Sequence, residues 1–377
     1  VKQYHPFTTF LTLRLLNYDG VQGVRKFLGN DMAKKTNKTE KVVAPSTPAQ
    51  IYIPSGVTLI DLACTDTAKG FCSAGHTVNI IGDRNSGKSI LCLASMAETY
   101  HRHKDLFEYD YYDYERAVSF NVAKLFGNKF AEKLNHIEPD NDEGWAIENL
   151  RVKILESLKK GPRYIVIDSI DVMKPIVEVS SLYKETDGKK TMGTERAKAI
   201  TAFFRSICPA IADSGSFLIA VSQARDNIGV GAMFTPKVRS GGRALGYYAY
   251  IEMWLAPGPQ IKTGDVKVGQ WTMAKIERSK YNGKKRTVSF PILPAYGIDD
   301  TRGNIDWLLE EGVVKKVGKG VVDMTPIGIE YEGNNPYLFV EENGEVMKVL
   351  AAVKERWDHN ERILVEKTLE GRRGRYE

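Results

Sequence analysis

Apolar residues fall into two patterns along this chain. Short unbroken runs occur at Thr77-Val78-Asn79-Ile80-Ile81, Tyr164-Ile165-Val166-Ile167-Asp168 and Phe217–Ser222. Such runs predict strands covered on both faces, as in a parallel sheet. Tyr109–Asp113 predicts a further strand, with Tyr109, Tyr111, Tyr112 and Tyr114 packing alternately. Between these runs the spacing becomes helical. Ile90, Leu91, Leu93, Ala94 and Met96 mark a helix over Ser89–Tyr100, and Ile147, Leu150, Ile154 and Leu158 mark one over Gly144–Leu158. Further helices are predicted at Val57–Cys64, Glu115–Phe126 and Thr194–Asp213. Strands alternating with helices predict an α/β fold around a mainly parallel sheet.

The same pattern divides the chain. Residues 1–50 read as an arm and linker, with Lys, Thr, Ser and Pro dominating 33–48. Met32 followed by Ala33-Lys34-Lys35 resembles a protein start, so residues 1–31 are either over-called upstream sequence or a native arm with a short helix at Val21–Leu28. Residues 51–300 form the core. Its late strands are expected at Tyr247–Leu255, Gln270–Arg278 and Thr287–Phe290. Residues 301–377 predict a small C-terminal α/β domain, with a clear helix at Glu345–Trp357. Two stretches lack a period, about 176–193 and 225–242, and loops that long are usually functional or disordered.

Composition adds little. A net charge of +6 over 377 residues suits a polyanionic partner without requiring one. The four cysteines have no C-x-x-C spacing, so no zinc framework is expected and a reducing cytoplasm fits. No stretch of about 18 apolar residues is present, so no membrane span is expected.

The chemistry centres on Gly82-Asp83-Arg84-Asn85-Ser86-Gly87-Lys88-Ser89. It fits the phosphate-loop pattern G-x-x-x-x-G-K-S/T between a predicted strand and a predicted helix. Backbone N–H groups and the helix N-terminus would bind a polyphosphate, Lys88 would reach the β- and γ-phosphates, and Ser89 would ligate Mg²⁺. Ile90, next along the helix, completes the expected nucleotide contacts of this stretch. Asp168, ending its apolar strand, fits a Walker B acid that acts on Mg²⁺ through a water, although a strand-terminal Asp alone is more often a cap or turn residue. Glu115 fits either a base orienting water or a favourable helix-start residue. Gln223 fits either a γ-phosphate sensor or a cap. Arg278 and Lys280 lie on one face of a strand-like segment and read first as a solvated basic strand.

These stretches together resemble the RecA family of recombinases, including phage UvsX-type members. The resemblance runs through Ile53-Pro54-Ser55-Gly56 with Leu59-Ile60-Asp61, the phosphate loop, Asp113-Tyr114-Glu115-Arg116 and Ile165–Ile170 with Pro175. It continues through Val221–Arg225 with Ile228-Gly229, Ser240–Leu245 and the pair Arg278 and Lys280. It covers roughly residues 51–300. It implies a RecA-type P-loop NTPase core plus the C-terminal domain. Glu115 then resembles the catalytic glutamate, and Gln223 the residue coupling ATP to DNA. Arg278 and Lys280 resemble the pair that reaches a neighbouring protomer's ATP, which implies a helical homo-oligomeric filament.

The two aperiodic stretches resemble the family's DNA-binding loops. Gly241 and Gly242 would let backbone approach phosphates, Arg225, Arg239 and Arg243 would supply charge, and Ile228 beside Gly229 would wedge between bases. Arg196 and Arg205 are further candidates, each reading first as surface charge. Binding to single-stranded DNA and homologous duplex should be sequence-tolerant and salt-sensitive.

Some features depart from the family. Residues 1–50 show no clear oligomerisation element. Val122 stands near the place of an adenine-stacking tyrosine, with Tyr296 as a second adenine contact. The ending Arg372-Arg373-Gly374-Arg375-Tyr376-Glu377 is basic, which would favour duplex DNA. A hexameric helicase on the same core, or a nucleotide-gated scaffold without DNA activity, would share the phosphate loop.

Overall fold

A strand can be apolar at every position only if both faces are covered, and the core strands meet that condition. The computed structural model describes residues 50–116, 118–139, 144, 146–181, 192–226, 237–239, 244–318 and 320–372. The chain begins with β1 (Tyr52–Ile53), α1 (Thr58–Thr65) and β2 (Cys72–Ser73), then enters the main sheet at β3 (Thr77–Gly82). Next come α2 (Lys88–His103), β4 (Glu108–Asp113), α3 (Val122–Phe126), α4 (Asn128–Lys133), β5 (Leu134–Ile137), α5 (Ile147–Leu158) and β6 (Arg163–Asp168). After α6 (Ile176–Ser181) and α7 (Met192–Asp213) follow β7 (Phe217–Asp226), β8 (Lys237–Arg239) and α8 (Ala244–Tyr248).

Strand β9 (Ile251–Thr263) joins the sheet in parallel, and β10 (Val266–Ser279), β11 (Arg286–Leu293) and β12 (Gly297–Ile298) extend it antiparallel. The spatial order is β12-β11-β10-β9-β3-β7-β6-β4-β5, and β8 pairs with β7. From β3 the chain crosses to β4 on one side and later returns to β9 on the other. The carboxyl ends of β3, β4, β6 and β7 therefore face one crevice, where open α/β sheets bind ligands.

Alternation along each strand builds two cores. Tyr109, Tyr111, Tyr164, Val166, Phe217, Ile219 and Val221 face one side. Tyr112, Ile165, Ile167, Leu218 and Ala220 face the other, against Ile147, Leu150, Ile154, Phe203, Phe204 and Ile207 from α5 and α7. The tyrosines of β4 are thus packing residues, as expected.

Several expected boundaries move. Glu115–Phe126 is helical only over Val122–Phe126. The N–H groups of Tyr114 and Glu115 donate to the Asp168 carbonyl, and Val118 N–H donates to Asp113 Oδ2, so the chain turns here. Asn121 then caps α3 by accepting from Lys124 N–H at 2.9 Å. Tyr247 and Tyr248 end α8 and do not open a strand. Both aperiodic stretches are shorter than expected. Helices α6 and α7 take the ends of the first, and the β7–β8 hairpin takes Arg225, Asp226 and 237–239 from the second.

The C-terminal residues contain their own three-stranded sheet, β13 (Lys315–Lys316), β14 (Val322–Asp323) and β15 (Glu332–Gly333), beside α9 (Asp300–Glu310), α10 (Pro336–Glu342) and α11 (Val346–Leu369). Their apolar residues Ile305, Leu308, Val349, Val353 and Trp357 nonetheless belong to the same cluster as α1, α2 and the sheet. Polar links reinforce the contact. Thr58 donates its N–H and hydroxyl to Asp300, at 2.8 and 2.6 Å, and Arg286 pairs with Asp66 and Glu361 while lying 5.1 Å from the Trp357 ring. Among the described residues no helix is long and apolar enough to cross a membrane.

Because Trp357 sits in this shared cluster, Trp357→Ala should cost about 3–5 kcal/mol and lower the whole unfolding transition. Calorimetry checks this. An early separate transition, with the main one unmoved, would show an independently folding C-terminal region.

Candidate functional site

Strand β3 ends at Gly82, and there is no room for a side chain there. A Cβ would lie 2.4 Å from Ser86 Oγ and 2.8 Å from the Leu255 carbonyl. Gly87 has φ +84°, and its Cβ would meet Ile292 Cδ1 at 2.4 Å. Both glycines of the pattern are therefore required by backbone path and space. Between them Ser86 turns back, its hydroxyl donating to the Asp83 carbonyl at 2.8 Å. Helix α2 starts at Lys88, so the positive end of its dipole and its first N–H groups face the crevice. The Lys88 ammonium donates to the Asp83 carbonyl at 2.7 Å.

Strand β6 delivers Asp168, which is 2% exposed. Its Oδ2 accepts from Ser89 Oγ and from the Tyr111 hydroxyl, each at 2.6 Å. Burial raises the carboxyl above the ordinary aspartate range, the two hydroxyl bonds oppose this, nearby Glu115 adds to the rise and Lys88 opposes it. Ser89 and Asp168 form an all-oxygen pair beside a buried lysine, a donor set that suits Mg²⁺ with a polyphosphate.

Glu115 follows β4 and is half-buried. Its backbone is fixed to β6 through the Asp168 carbonyl, and Tyr114 N–H reaches the same oxygen at 2.7 Å. Its Oε1 accepts from Ser169 Oγ and from Gln223 Nε2, the latter at 2.7 Å. Three neighbouring strand ends thus converge on one carboxylate oxygen. The Gln223 N–H is in turn held by Asp171 Oδ2 at 2.6 Å.

Ser86–Ser89, Glu115, Asp168 and Gln223 line a cleft of about 1050 Å³ that also takes in Asp83, Arg84, Asn85, Ile90, Arg116, Ser119 and Phe120. Its far wall is Lys267–Gln270, Thr272, Ile292 and Pro294 from β10, β11 and the turn beyond. Tyr296 lies outside this lining, 52% exposed, and its hydroxyl donates to Glu341 at 3.0 Å. The turn at Leu293–Tyr296 sends Pro294 to the cleft and carries Tyr296 toward α10.

Arg278 and Lys280 come together, but away from this cleft. Arg278 donates to the Gly246 carbonyl, and Lys280 donates to the Tyr247 carbonyl at 3.3 Å while lying 5.3 Å from the Tyr250 ring. The carbonyl end of α8 attracts both cations. Burial and the neighbouring Arg278 charge lower the Lys280 pKa. Arg205 is exposed on α7, whereas Arg196 turns inward. Arg225 is exposed on β7, and Arg239 pairs with Ala224 through the backbone. Ile228, Gly229, Gly241, Gly242 and Arg243 lie outside the described residues.

Asp113, His136 and Glu138 also gather near Glu115, their ligand-type atoms within 4.8 Å of one another. His136 already contacts Asp113 at 3.2 Å, and Glu138 contacts Arg116 at 3.6 Å, so the group is internally paired. Sequence reasoning assigns Tyr111 only a packing role, includes Ser169 only as part of the Ile165–Ile170 stretch, and singles out neither Asp171 nor the Lys267–Gln270 wall. Only the pairing of strands brings Lys267–Gln270 to the cleft, and the other three to the Asp168, Glu115 and Gln223 groups that line it.

Tyr111 supplies one of two hydroxyl donors to a buried carboxylate, and a hydrogen bond to a charged group contributes about 1.5–3 kcal/mol. Tyr111→Phe should therefore raise the Mg²⁺ concentration needed for nucleotide binding by roughly tenfold or more. Fluorescent ATP-analogue titrations across Mg²⁺ concentration read the effect. An unchanged Mg²⁺ requirement would remove Tyr111 from the site.

Comparison with known proteins agrees with this geometry. The RecA N-terminal domain matches residues 31–299. Protein RecA of Streptomyces avermitilis is 30% identical over 277 residues, covering 73% of this chain and 68% of that protein. Protein RecA of Rubrobacter xylanophilus is 29% identical over 269 residues, covering 71% and 72%. The mitochondrial DNA repair protein recA homolog of Dictyostelium discoideum is 30% identical over 276 residues, covering 72% and 57%. Since the family model spans well over half of the chain and a relative 30% identical covers 73% of it, the chain belongs to the RecA family.

Proposed function

We propose that this protein is an ATP-dependent DNA recombinase. It assembles as a helical homo-oligomer on single-stranded DNA, pairs that strand with homologous duplex and exchanges strands. One observation carries the reading. Gln223, at the root of the glycine-rich segment after β7, donates directly to Glu115 inside the phosphate-loop cleft at 2.7 Å. A single hydrogen bond thus links the segment expected to touch DNA with the carboxylate expected to orient water. The four cysteines are unpaired, which suits a reducing cytoplasm.

The chain's residues divide the work. Loop N–H groups, the α2 dipole and Lys88 bind the triphosphate. Ser89 and Asp168 would hold Mg²⁺, which would neutralise charge on the phosphate oxygens. Two donors fill the lone pairs of Glu115 Oε1 in the structure described. When Gln223 turns its amide to the γ-phosphate, that oxygen becomes available. Glu115 then takes a proton from the water whose oxygen attacks the γ-phosphorus, the bond from that phosphorus to the β,γ-bridging oxygen breaks, and ADP leaves with the electron pair. The same turn of Gln223 re-poses the segment that follows β7, so nucleotide state sets the grip on DNA. Arg278 and Lys280, distant from their own cleft, reach the cleft of the adjacent protomer. Such a heterologous contact repeats into a helix.

ATPase measured against single-stranded DNA tests the reading. The wild-type rate should rise with DNA. Glu115→Gln should cut turnover by roughly 10²–10⁴-fold and keep ATP-dependent DNA binding, whereas Lys88→Ala should lose nucleotide binding. Normal turnover in Glu115→Gln, or a rate indifferent to DNA, would defeat the proposal.

A further inference from the structure

Asp171 stands three residues beyond Asp168, with its side chain only 3% exposed. Oδ2 accepts the Gln223 N–H at 2.6 Å. Oδ1 faces Arg196 Nη2 at 3.9 Å, an ionic contact too long for a hydrogen bond. Among the described residues neither Oδ1 nor Arg196 Nε has a hydrogen-bond partner. The Arg196 Nη2 group donates instead to the carbonyls of Ile170, at 3.1 Å, and Asp171. Arg196 belongs to the first turns of α7, beyond the first aperiodic stretch, while Gln223 leads into the second. One buried carboxylate therefore touches the roots of both.

Its charge environment is tense. Burial raises the Asp171 pKa, the Gln223 N–H and the charges of Arg196 and Arg225 oppose this, and Glu115 adds to the rise. A buried charge that loses its counter-charge becomes costly. Two carbonyls hold the guanidinium at Nη2 while its buried Nε has no partner, so a backbone phosphate that supplied the missing acceptor would compete with those carbonyls for it.

We propose that Asp171 is a positioning residue that couples polynucleotide binding to the ATPase cleft. A backbone phosphate draws Arg196 away, the stranded Asp171 carboxylate destabilises the local turn, and Gln223 leaves Glu115. The inference rests on the recombinase reading and names how that site is regulated. Within one rigid sheet edge, Asp171 is the joint between the two segments, and Gln223 is the part it moves.

Two variants with opposite signatures test it. Arg196→Gln strands the carboxylate without DNA, so its DNA-free ATPase should rise about fivefold or more, the range of ordinary coupling between sites. Asp171→Asn keeps an acceptor for the Gln223 N–H but removes the charge. It should bind single-stranded DNA several-fold more tightly, because Arg196 is released, yet lose most of the stimulation of ATPase by DNA. A merely structural residue would weaken binding and stimulation together. Combining the substitutions should cancel the DNA-free gain, since no charge is left to strand. An unchanged DNA-free rate in Arg196→Gln overturns the inference by itself, and needs no folded Asp171→Asn protein. Full stimulation in Asp171→Asn overturns it too. A wild-type ATPase indifferent to single-stranded DNA is a different failure, and it removes the recombinase reading together with the inference built on it.

Discussion

The structure depends on one constraint. Strands β3, β4, β6 and β7 run parallel and are covered on both faces, so their carboxyl ends must lie side by side. A parallel ladder cannot slip by one residue without exchanging every buried side chain between the two cores. Register is therefore rigid. Asp113 lies opposite Asp168, and Gly82 opposite Gln223. The phosphate loop, two carboxylates and an amide meet because Tyr164, Val166, Phe217 and Ile219 on one face, and Ile165, Ile167 and Leu218 on the other, have nowhere else to go.

That convergence has an electrostatic cost. Asp168, Asp171 and Glu115 sit close together, two of them nearly dry. In a low-dielectric site like charges repel strongly, and each carboxylate needs donors. The structure meets the demand with short neutral donors: Ser89 and Tyr111 at Asp168, Ser169 and Gln223 at Glu115, and a backbone N–H at Asp171. Hydroxyls and amides can be withdrawn without leaving a bare charge of their own. A cluster built this way changes state more cheaply than one held by buried cations.

The C-terminal residues show how far the core reaches. Helices α9 and α11 share the cluster beneath α1, and α1 packs against β10 and β11. The cleft wall at Lys267–Gln270, Ile292 and Pro294 is thus braced from behind. Rigid walls and an adjustable donor set belong together, because only a fixed frame makes one hydrogen bond's rearrangement count.

Much of this was already present in the linear order of residues. Continuous apolar runs identified β3, β6 and most of β7, because burial on both faces leaves no alternation to misread. The phosphate loop was legible because its glycines answer a local demand, turn and close approach, that no other residue type meets. Helix bounds for Glu115–Phe126 failed where N–H groups of Tyr114 and Glu115 went to a strand distant in sequence. The same reason hid what Tyr111, Ser169 and Asp171 touch. Each meets a cleft residue that lies far away in sequence, and a tyrosine or an aspartate alone carries no record of its partner. Local backbone geometry was written in the chain, while the neighbours of each polar atom were decided only when the strands were laid in register.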